Sequence, residues 1–176
     1  MSNKPFRVVP FNPSFDRNTF NCGTEALDYY FRDQLSQDIR RRVAACFIAL
    51  SNDDRVAGYY TLASSSVFIG DLPEKIKKKL PRYPSVPVVR MGRLAIDQAF
   101  KGQGLGGALL ADALTRVVRS EIAAYALVVD AKDNTAADFY RHHGFMMTAR
   151  DDLTLFLPLA TAQELEVKHE KEKKNT

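Results

Sequence analysis

The sequence predicts a layered α/β (α+β) domain, and three stretches carry that expectation. Val43 to Leu50 and Arg55 to Val67 are two apolar runs around the turn Asn52-Asp53-Asp54, the pattern of an antiparallel hairpin. Leu94-Ala95-Ile96 leads through the glycine-rich run Lys101 to Gly107 into a segment whose Leu105, Leu109, Leu110, Leu114, Val117 and Val118 recur at helical spacing. Ala126 to Asp130 is apolar up to its last residue, as a strand covered on both faces would be. A hairpin followed by a strand–helix–strand unit mixes the two kinds of element in one layered domain.

The remaining elements follow in chain order. Phe6 to Pro10 reads as an edge strand, closed by Pro10 and Pro13. Asn21 or Thr24 is placed to cap a helix through Leu27, Tyr30 and Phe31, with another running to about Arg42. After the hairpin, Asp71 is placed to cap a short basic helix, Leu72 to Leu80, and a three-proline connector from Pro81 to Pro87 leads into the central strand. Asn134 to His143 reads as a helix that Gly144 ends, and Leu153 to Leu157 as the last strand. A chain of 176 residues suits one domain, expected over residues 1–160. Residues 161–176 read as a charged tail, solvated or frayed: from Glu164 onward they hold four Glu, four Lys and His169.

Composition narrows the function classes. Hydrophobic residues make up 45% and charged residues 26%, and no apolar run reaches the roughly 18 residues of a membrane helix. The start, MSNKPFRVV, has no signal-peptide core, so a cytoplasmic protein is expected. Cys22 and Cys46 lack metal-ligand or redox spacing and read as reduced fillers, and no metal is expected. The net charge of +4 leans toward anionic partners. It is concentrated between Asp71 and Arg93, where Lys75, Lys77, Lys78, Lys79, Arg82, Arg90 and Arg93 face only Asp71 and Glu74, and again at Arg40-Arg41-Arg42.

The glycine run offers the first chemistry. Glycines let a backbone approach a ligand closely, and a helix start offers unpaired N–H groups at the positive end of its dipole. Strand, glycine loop and helix together make a phosphate cradle. The run lacks the Lys-Ser/Thr ending of a nucleoside-triphosphate loop, and too little chain follows Asp130 to complete a dinucleotide-binding fold.

Three signals in fixed order, MGRLAID with KGQGLG after it, then ALVVDA, then DNTAADFYRHHGF, resemble the GNAT superfamily of acetyl-CoA-dependent N-acetyltransferases. That family writes its pyrophosphate loop Q/R-x-x-G-x-G/A and a later element N-x-x-A-x-x-L/F-Y-x-x-x-G-F. Lys101 stands where Arg or Gln is usual, and the family's Asn falls on Asp133, with Asn134 one residue late. Asn21-Cys22-Gly23 with Leu27-Asp28, Gly58 to Leu62, Pro81 to Pro84 and Arg93-Leu94-Ala95 are similar to the toxin subgroup of type II toxin–antitoxin modules (TacT- and AtaT-like), which acetylate the amino group of aminoacyl-tRNA.

The resemblance implies a single-domain GNAT fold with a mixed, mostly antiparallel sheet and splayed central strands. It implies acetyl-CoA as co-substrate, held by Leu94, Ala95, Ile96, Lys101, Gly102, Gln103, Gly104, Leu105, Gly106 and Gly107, with Asn134 or Asp133 as a second contact. Either of those two is equally placed to cap the helix that follows. Tyr140 matches the family's catalytic tyrosine: a phenol of pKa about 10 can give its proton to a departing thiolate whose thiol titrates near 8.5. The residues themselves leave packing against Phe139 open for Tyr140. No base stands out beyond Asp97 and Asp130, and His142 and His143 read as solvent-facing. A base-poor site suits an α-amine, of pKa about 7.7–8.0, better than a lysine at about 10.4.

Arg40, Lys77, Lys78, Arg82, Arg90 and Arg93 are the candidate contacts to tRNA phosphates, although lysine-rich faces also serve simply as solvated surface. Tyr59, Tyr60, Tyr83 and Phe47 line an amino-acid pocket or belong to the core, with Phe47 and Tyr60 read as core. Expected partners are aminoacyl-tRNA, a ribbon–helix–helix antitoxin and a second copy in a homodimer, with no membrane. The alternatives are a GNAT enzyme acting on a small amine or protein amine, and a non-catalytic acetyl-CoA-binding interaction module.

Overall fold

The computed structural model describes residues 5–175. Its sheet has seven strands in the order β1-β2-β3-β4-β5-β7-β6: β1 (Phe6–Pro10), β2 (Ala45–Ser51), β3 (Val56–Phe68), β4 (Ser85–Ile96), β5 (Ala126–Asp130), β6 (Met146–Met147) and β7 (Thr154–Pro158). The pairs β1–β2, β2–β3, β5–β7 and β6–β7 are antiparallel, so the mixed α/β class read from the sequence is the class found. The chain forms two compact units, Met1–Ala63 with Met91–Ala113 and Ser64–Arg90 with Leu114–Thr176.

In the first unit the predicted hairpin forms, with Ala45 opposite Leu62 and Leu50 opposite Val56, and a register shift at Ala49/Leu50. β1 is the edge strand, and Pro10 ends it opposite Phe47, where a missing N–H costs no ladder bond. The predicted helices are one helical stretch: α1 (Glu25–Tyr29), a π turn (Tyr30–Gln34) and α2 (Leu35–Arg40). The π turn keeps Tyr30, Phe31 and Leu35 buried together. Phe31 stacks on Tyr59 with centroids 4.3 Å apart, and Phe20 meets both rings. Truncating such a buried ring costs about 3–5 kcal/mol. Gly58 is required by close approach: a Cβ there would lie 2.9 Å from the Ala95 carbonyl oxygen and 3.1 Å from Leu109 Cδ1.

In the second unit β5 is buried except for Asp130, as its sequence predicts, and pairs from Ala126↔Pro158 to Asp130↔Thr154. Leu72, Val86, Val88, Ala126, Val128 and Phe156 form its core. The basic helix is shorter than expected: α3 spans Glu74–Lys77 with Pro73 at its N-cap. Asp71 does not cap it but belongs to the 3-10 turn Ile69–Asp71. α5 (Asn134–His142) ends at Gly144, whose φ of +92° suits glycine, and Phe145 N–H returns to the Tyr140 carbonyl at 3.1 Å.

The charged end differs from its expectation of a frayed tail. Helix α6 spans Leu159–Lys174, so the expected domain boundary at residue 160 falls inside it. Ala162 is buried, and Thr115 Oγ1, on α4 (Leu105–Val118), donates to Glu166 Oε1 at 2.6 Å. Glu164 and Glu170 each precede a lysine by four residues, Lys168 and Lys174, a spacing that favours helix without an apolar stripe. Among the described residues no helix is long and apolar enough to cross a membrane.

Candidate functional site

The glycine loop of the first unit is shaped by backbone conformation. Gly102 and Gly104 have φ of +79° and +75°, and a Cβ at either would meet nothing within 4 Å, so it is their dihedral angle that favours glycine and leaves the space beside them open. Leu105 is buried and anchors α4, while Lys101 to Gly104 are exposed. Ala108 N–H bonds the Gly104 carbonyl at 3.1 Å, so Leu105, Gly106 and Gly107 occupy the first turn, where amides have no intrahelical acceptor. Such an end holds an anion through main-chain donors and the helix dipole.

The base of this loop is clamped. Asp97, 3% exposed, accepts from Asn21 N–H at 3.0 Å and from Ala99 N–H at 2.9 Å, which caps the 3-10 turn Gln98–Phe100. Its own N–H bonds the Ala57 carbonyl at 2.8 Å, and Arg55 stands 3.6 Å from its carboxylate. Gln98 N–H reaches the Asn21 carbonyl at 2.9 Å, and Lys101 Nζ donates to the Cys22 carbonyl at 2.8 Å. A Cβ on Gly23 would meet Gln98 Nε2 at 2.5 Å. The Asn21-Cys22-Gly23 turn and Asp97 therefore fix where the loop starts. Asp97, one of two acids weighed as a base, has its carboxylate oxygens occupied, and Lys101 spends one donor on the protein itself. Of the adjoining strand residues, Ala95 is buried and Leu94 and Ile96 are half-buried.

The second unit carries Tyr140. α5 begins at Asp133, whose carboxylate accepts from Ala136 N–H at 2.8 Å; Asp133 is thus the cap, and Asn134 is exposed beside it. Ala137 and Tyr140 are the buried face of this helix. The Tyr140 ring packs edge-on to Phe139 at 5.2 Å and tilted to Phe145 at 5.6 Å. Its hydroxyl has no hydrogen bond among the described residues. No polar side-chain atom among them is sealed without a partner, so this oxygen stays open while its ring is enclosed. Burial, and then the negative charge of Asp130, push its pKa well above the ordinary value for tyrosine. The phenol therefore keeps its proton across the neutral range.

Asp130, the other acid weighed as a base, pairs with Arg90 Nη1 at 2.6 Å. His142 and His143 are exposed at the helix end, and burial followed by the charge of His142 lowers the His143 pKa. The remaining candidate cations divide. Arg40, Lys78 and Arg82 are exposed, whereas Lys77 pairs with Glu74 at 2.9 Å. Arg93 lies 3.4 Å above the Tyr30 ring centroid, and Arg90 is committed to Asp130. Tyr59 and Tyr60 are fully buried, with Tyr59 donating to the Leu27 carbonyl at 2.7 Å and Tyr60 to Asp112. Phe47 stacks on Tyr60 at 5.3 Å and Tyr83 is exposed, so the core reading applies to the first three. Sequence reasoning missed the roles of Asp97 and of the Arg90–Asp130 pair; an acid directly after a strand and before a turn was the available signal for the first. Among the described residues no group of His, Cys, Asp and Glu is arranged to hold a metal.

Residues 17–154 match the family model described as an acetyltransferase (GNAT) domain. A tRNA-acetylating toxin of Mycobacterium tuberculosis (strain ATCC 25618 / H37Rv) is 36% identical over 152 residues, 85% of this chain and 90% of that protein. The solved structure of AtaT complexed with acetyl-methionyl-tRNAfMet superposes with a TM-score of 0.84 at 32% identity, covering 91% of this chain and 98% of that one. A tyrosine-to-phenylalanine mutant of the toxin AtaT, bound to the C-terminus of the antitoxin AtaR and acetyl-CoA, superposes with a TM-score of 0.78 at 27% identity, covering 92% and 98%.

Proposed function

This chain belongs to the GNAT acetyltransferase family, and on that premise we propose that it is a toxin that moves the acetyl group of acetyl-CoA to the α-amino group of aminoacyl-tRNA, blocking translation. The carbonyl carbon of the thioester forms a bond to the amine nitrogen and loses its bond to sulfur. The amine releases one proton to solvent, Tyr140 gives one to the sulfur, and solvent restores the phenol. The amides from Gln103 to Gly107 hold the diphosphate of the co-substrate, and Asn134, left free of the capping role, is its second contact. Leu94, Ala95 and Ile96, on a strand splayed from its neighbour, present main-chain donors to the pantetheine and the thioester oxygen.

The observation that carries this reading is Tyr140: an enclosed ring with an open hydroxyl, protonated at neutral pH, suits a general acid for a leaving thiolate. The engaged carboxylates support the substrate class. With Asp97 and Asp130 both bonded, the site favours an amine that is already partly neutral, and an α-amine at about 7.7–8.0 meets that need where a lysine at about 10.4 does not. Arg40, Lys77, Lys78, Arg82, Arg90 and Arg93 are the cations assigned to the RNA, Lys78, Arg82 and Arg40 foremost because they are exposed. The enzyme works in the cytoplasm as a homodimer and is neutralised by a ribbon–helix–helix antitoxin. The residues assigned to the activity all lie within 1–160, and 161–176 supply none of them. Incubation with labelled acetyl-CoA and total charged tRNA tests the reading. N-acetylated aminoacyl-tRNA is expected. Label on protein lysines or small amines alone would overturn it in favour of the second enzyme reading, and no transfer at all would favour the binding module.

A further inference from the structure

Arg90 and Asp130 join two neighbouring strands of the second unit by their side chains. β4 and β5 lie side by side in the sheet, and Tyr125 N–H bonds the Pro87 carbonyl at 2.7 Å. At the end of β5, Arg90 Nη1 donates to Asp130 Oδ1 at 2.6 Å, and Arg90 Nε reaches Ser65 Oγ on β3 at 3.5 Å. The two charged side chains are 32% and 43% exposed, a setting in which an ion pair adds little to stability. Its consequence lies in the charge it covers.

Asp130 stands close before the helix that carries the acid. Ala131 and Lys132 alone separate it from Asp133, the cap of α5. Ala131 is buried, with its N–H on the Leu153 carbonyl at 2.8 Å, so the strand end and the helix start are fixed relative to each other. The Asp130 charge acts on the Tyr140 phenol. Other charges around α5 are turned to solvent or engaged: Lys132, His142 and His143 are exposed, Arg141 pairs with Asp138, and Asp133 caps. Arg90 also borders a cavity of about 320 Å³ that Asp71, Arg150 and Asp151 share.

Proton transfer sets two like charges against each other. As the carbon–sulfur bond breaks, its electron pair goes to sulfur and the Tyr140 proton follows. The oxygen is then a phenolate until water protonates it. That negative charge forms on an enclosed ring near a carboxylate, and like charges oppose ionisation. A cation on the carboxylate offsets the opposition.

We propose that Arg90 is a positioning residue for the acid: by covering Asp130 it keeps the charge that forms on Tyr140 from facing a bare carboxylate. The assignment rests on Tyr140 as the general acid and gives Arg90 a part in the transfer itself, apart from any contact with RNA.

Single-turnover acetylation of an amino-acid methyl ester, with acetyl-CoA saturating and salt low, reads the effect without RNA. Arg90→Gln should slow it by about tenfold or more, and Arg90→Lys by less than about threefold. Asp130→Asn should match or exceed the parent. Arg90→Gln combined with Asp130→Asn should return to within about threefold of the parent, since neither charge remains. Acetyl-CoA affinity should be unchanged in all four. With tetrafluorotyrosine, whose phenol is far more acidic, in place of Tyr140, fluorine NMR should show it titrating about one pH unit higher in Arg90→Gln and lower in Asp130→Asn. A double variant as slow as Arg90→Gln, a loss confined to charged tRNA, or a phenol that ignores both changes overturns the assignment. A phenol that follows the charges while Tyr140→Phe keeps the parent rate would refute the acid and leave the charge coupling standing.

Discussion

The two units hold their functional residues by different means. In the first, the approach to the glycine loop is locked by main-chain and buried carboxylate hydrogen bonds around Asp97 and Asn21, and the loop itself is bare backbone. In the second, Tyr140 is held by aromatic packing and its surroundings by an ion pair, with the hydroxyl open. Main-chain bonds fix the position of a backbone, whereas ring packing and ion pairs fix a side chain and leave its polar end available.

The sharpest way to break this comparison is Tyr140→Phe. It removes only an oxygen that bonds nothing among the described residues, so stability and acetyl-CoA affinity should be unchanged. The acetylation rate should fall by about 10²–10⁴, the usual contribution of a positioned general acid. Single-turnover measurement separates the two. A rate within a fewfold of the parent would leave Tyr140 as packing.

Asp97→Asn should act in the opposite manner. It weakens the cap, the bond to Asn21 and the pairing with Arg55, costing about 2 kcal/mol, which for a chain of this size lowers Tm by roughly 5 °C. Acetyl-CoA KM should rise several-fold with kcat little changed, because the loop is displaced and the acid is not. A fall in kcat at constant KM would instead make Asp97 part of the chemistry.

These two residues also mark what could be read in advance. Tyr140, the glycine loop, β5 and the stop at Gly144 were legible because each is written in contiguous residues: a motif, a period, an apolar run or a glycine at a helix end. Asp97–Asn21 and Arg90–Asp130 join residues 76 and 40 positions apart, and no local pattern records such a pairing. Helix α6 escaped for another reason. Its composition resembles that of unstructured chain, and the bond that docks it, Thr115 to Glu166, joins residues 51 positions apart. β6, two residues long, pairs only through β7 and is too short to show alternation.

An alkaline titration sharpens the comparison. Burial raises Tyr30 and Tyr59 in the first unit and Tyr140 in the second above the ordinary value of 10.0, and raises Cys46 above 9.0. A group whose folded pKa is raised gives its full stabilisation below the unfolded pKa and loses it as pH rises toward the folded one. Stability should therefore hold to about pH 9 and fall beyond it, each group contributing about 1.4 kcal/mol per pH unit. Tyr140→Phe should make that decline shallower by one group, as followed by urea unfolding at pH 9.5 to 11. An unaltered slope would mean that the phenol titrates normally and is not enclosed.

The smallest effects belong to the exposed cations. Lys78 and Arg82 are solvated, whereas Lys77 already pairs with Glu74 at 2.9 Å. If Lys78 and Arg82 each meet a phosphate, replacing both with Gln should lower kcat/KM for aminoacyl-tRNA less than about tenfold at moderate salt. The dependence of log(kcat/KM) on log[KCl] should then flatten by roughly 0.7–0.9 for each phosphate no longer neutralised. Lys77→Gln should flatten it less, because its ion pair must be exchanged for the phosphate. Acetylation of an amino-acid methyl ester should stay untouched by all three changes, since these charges act on RNA and not on the transfer. A slope that stays the same in the double variant would assign the phosphates to the first unit, where Arg40 is the exposed candidate.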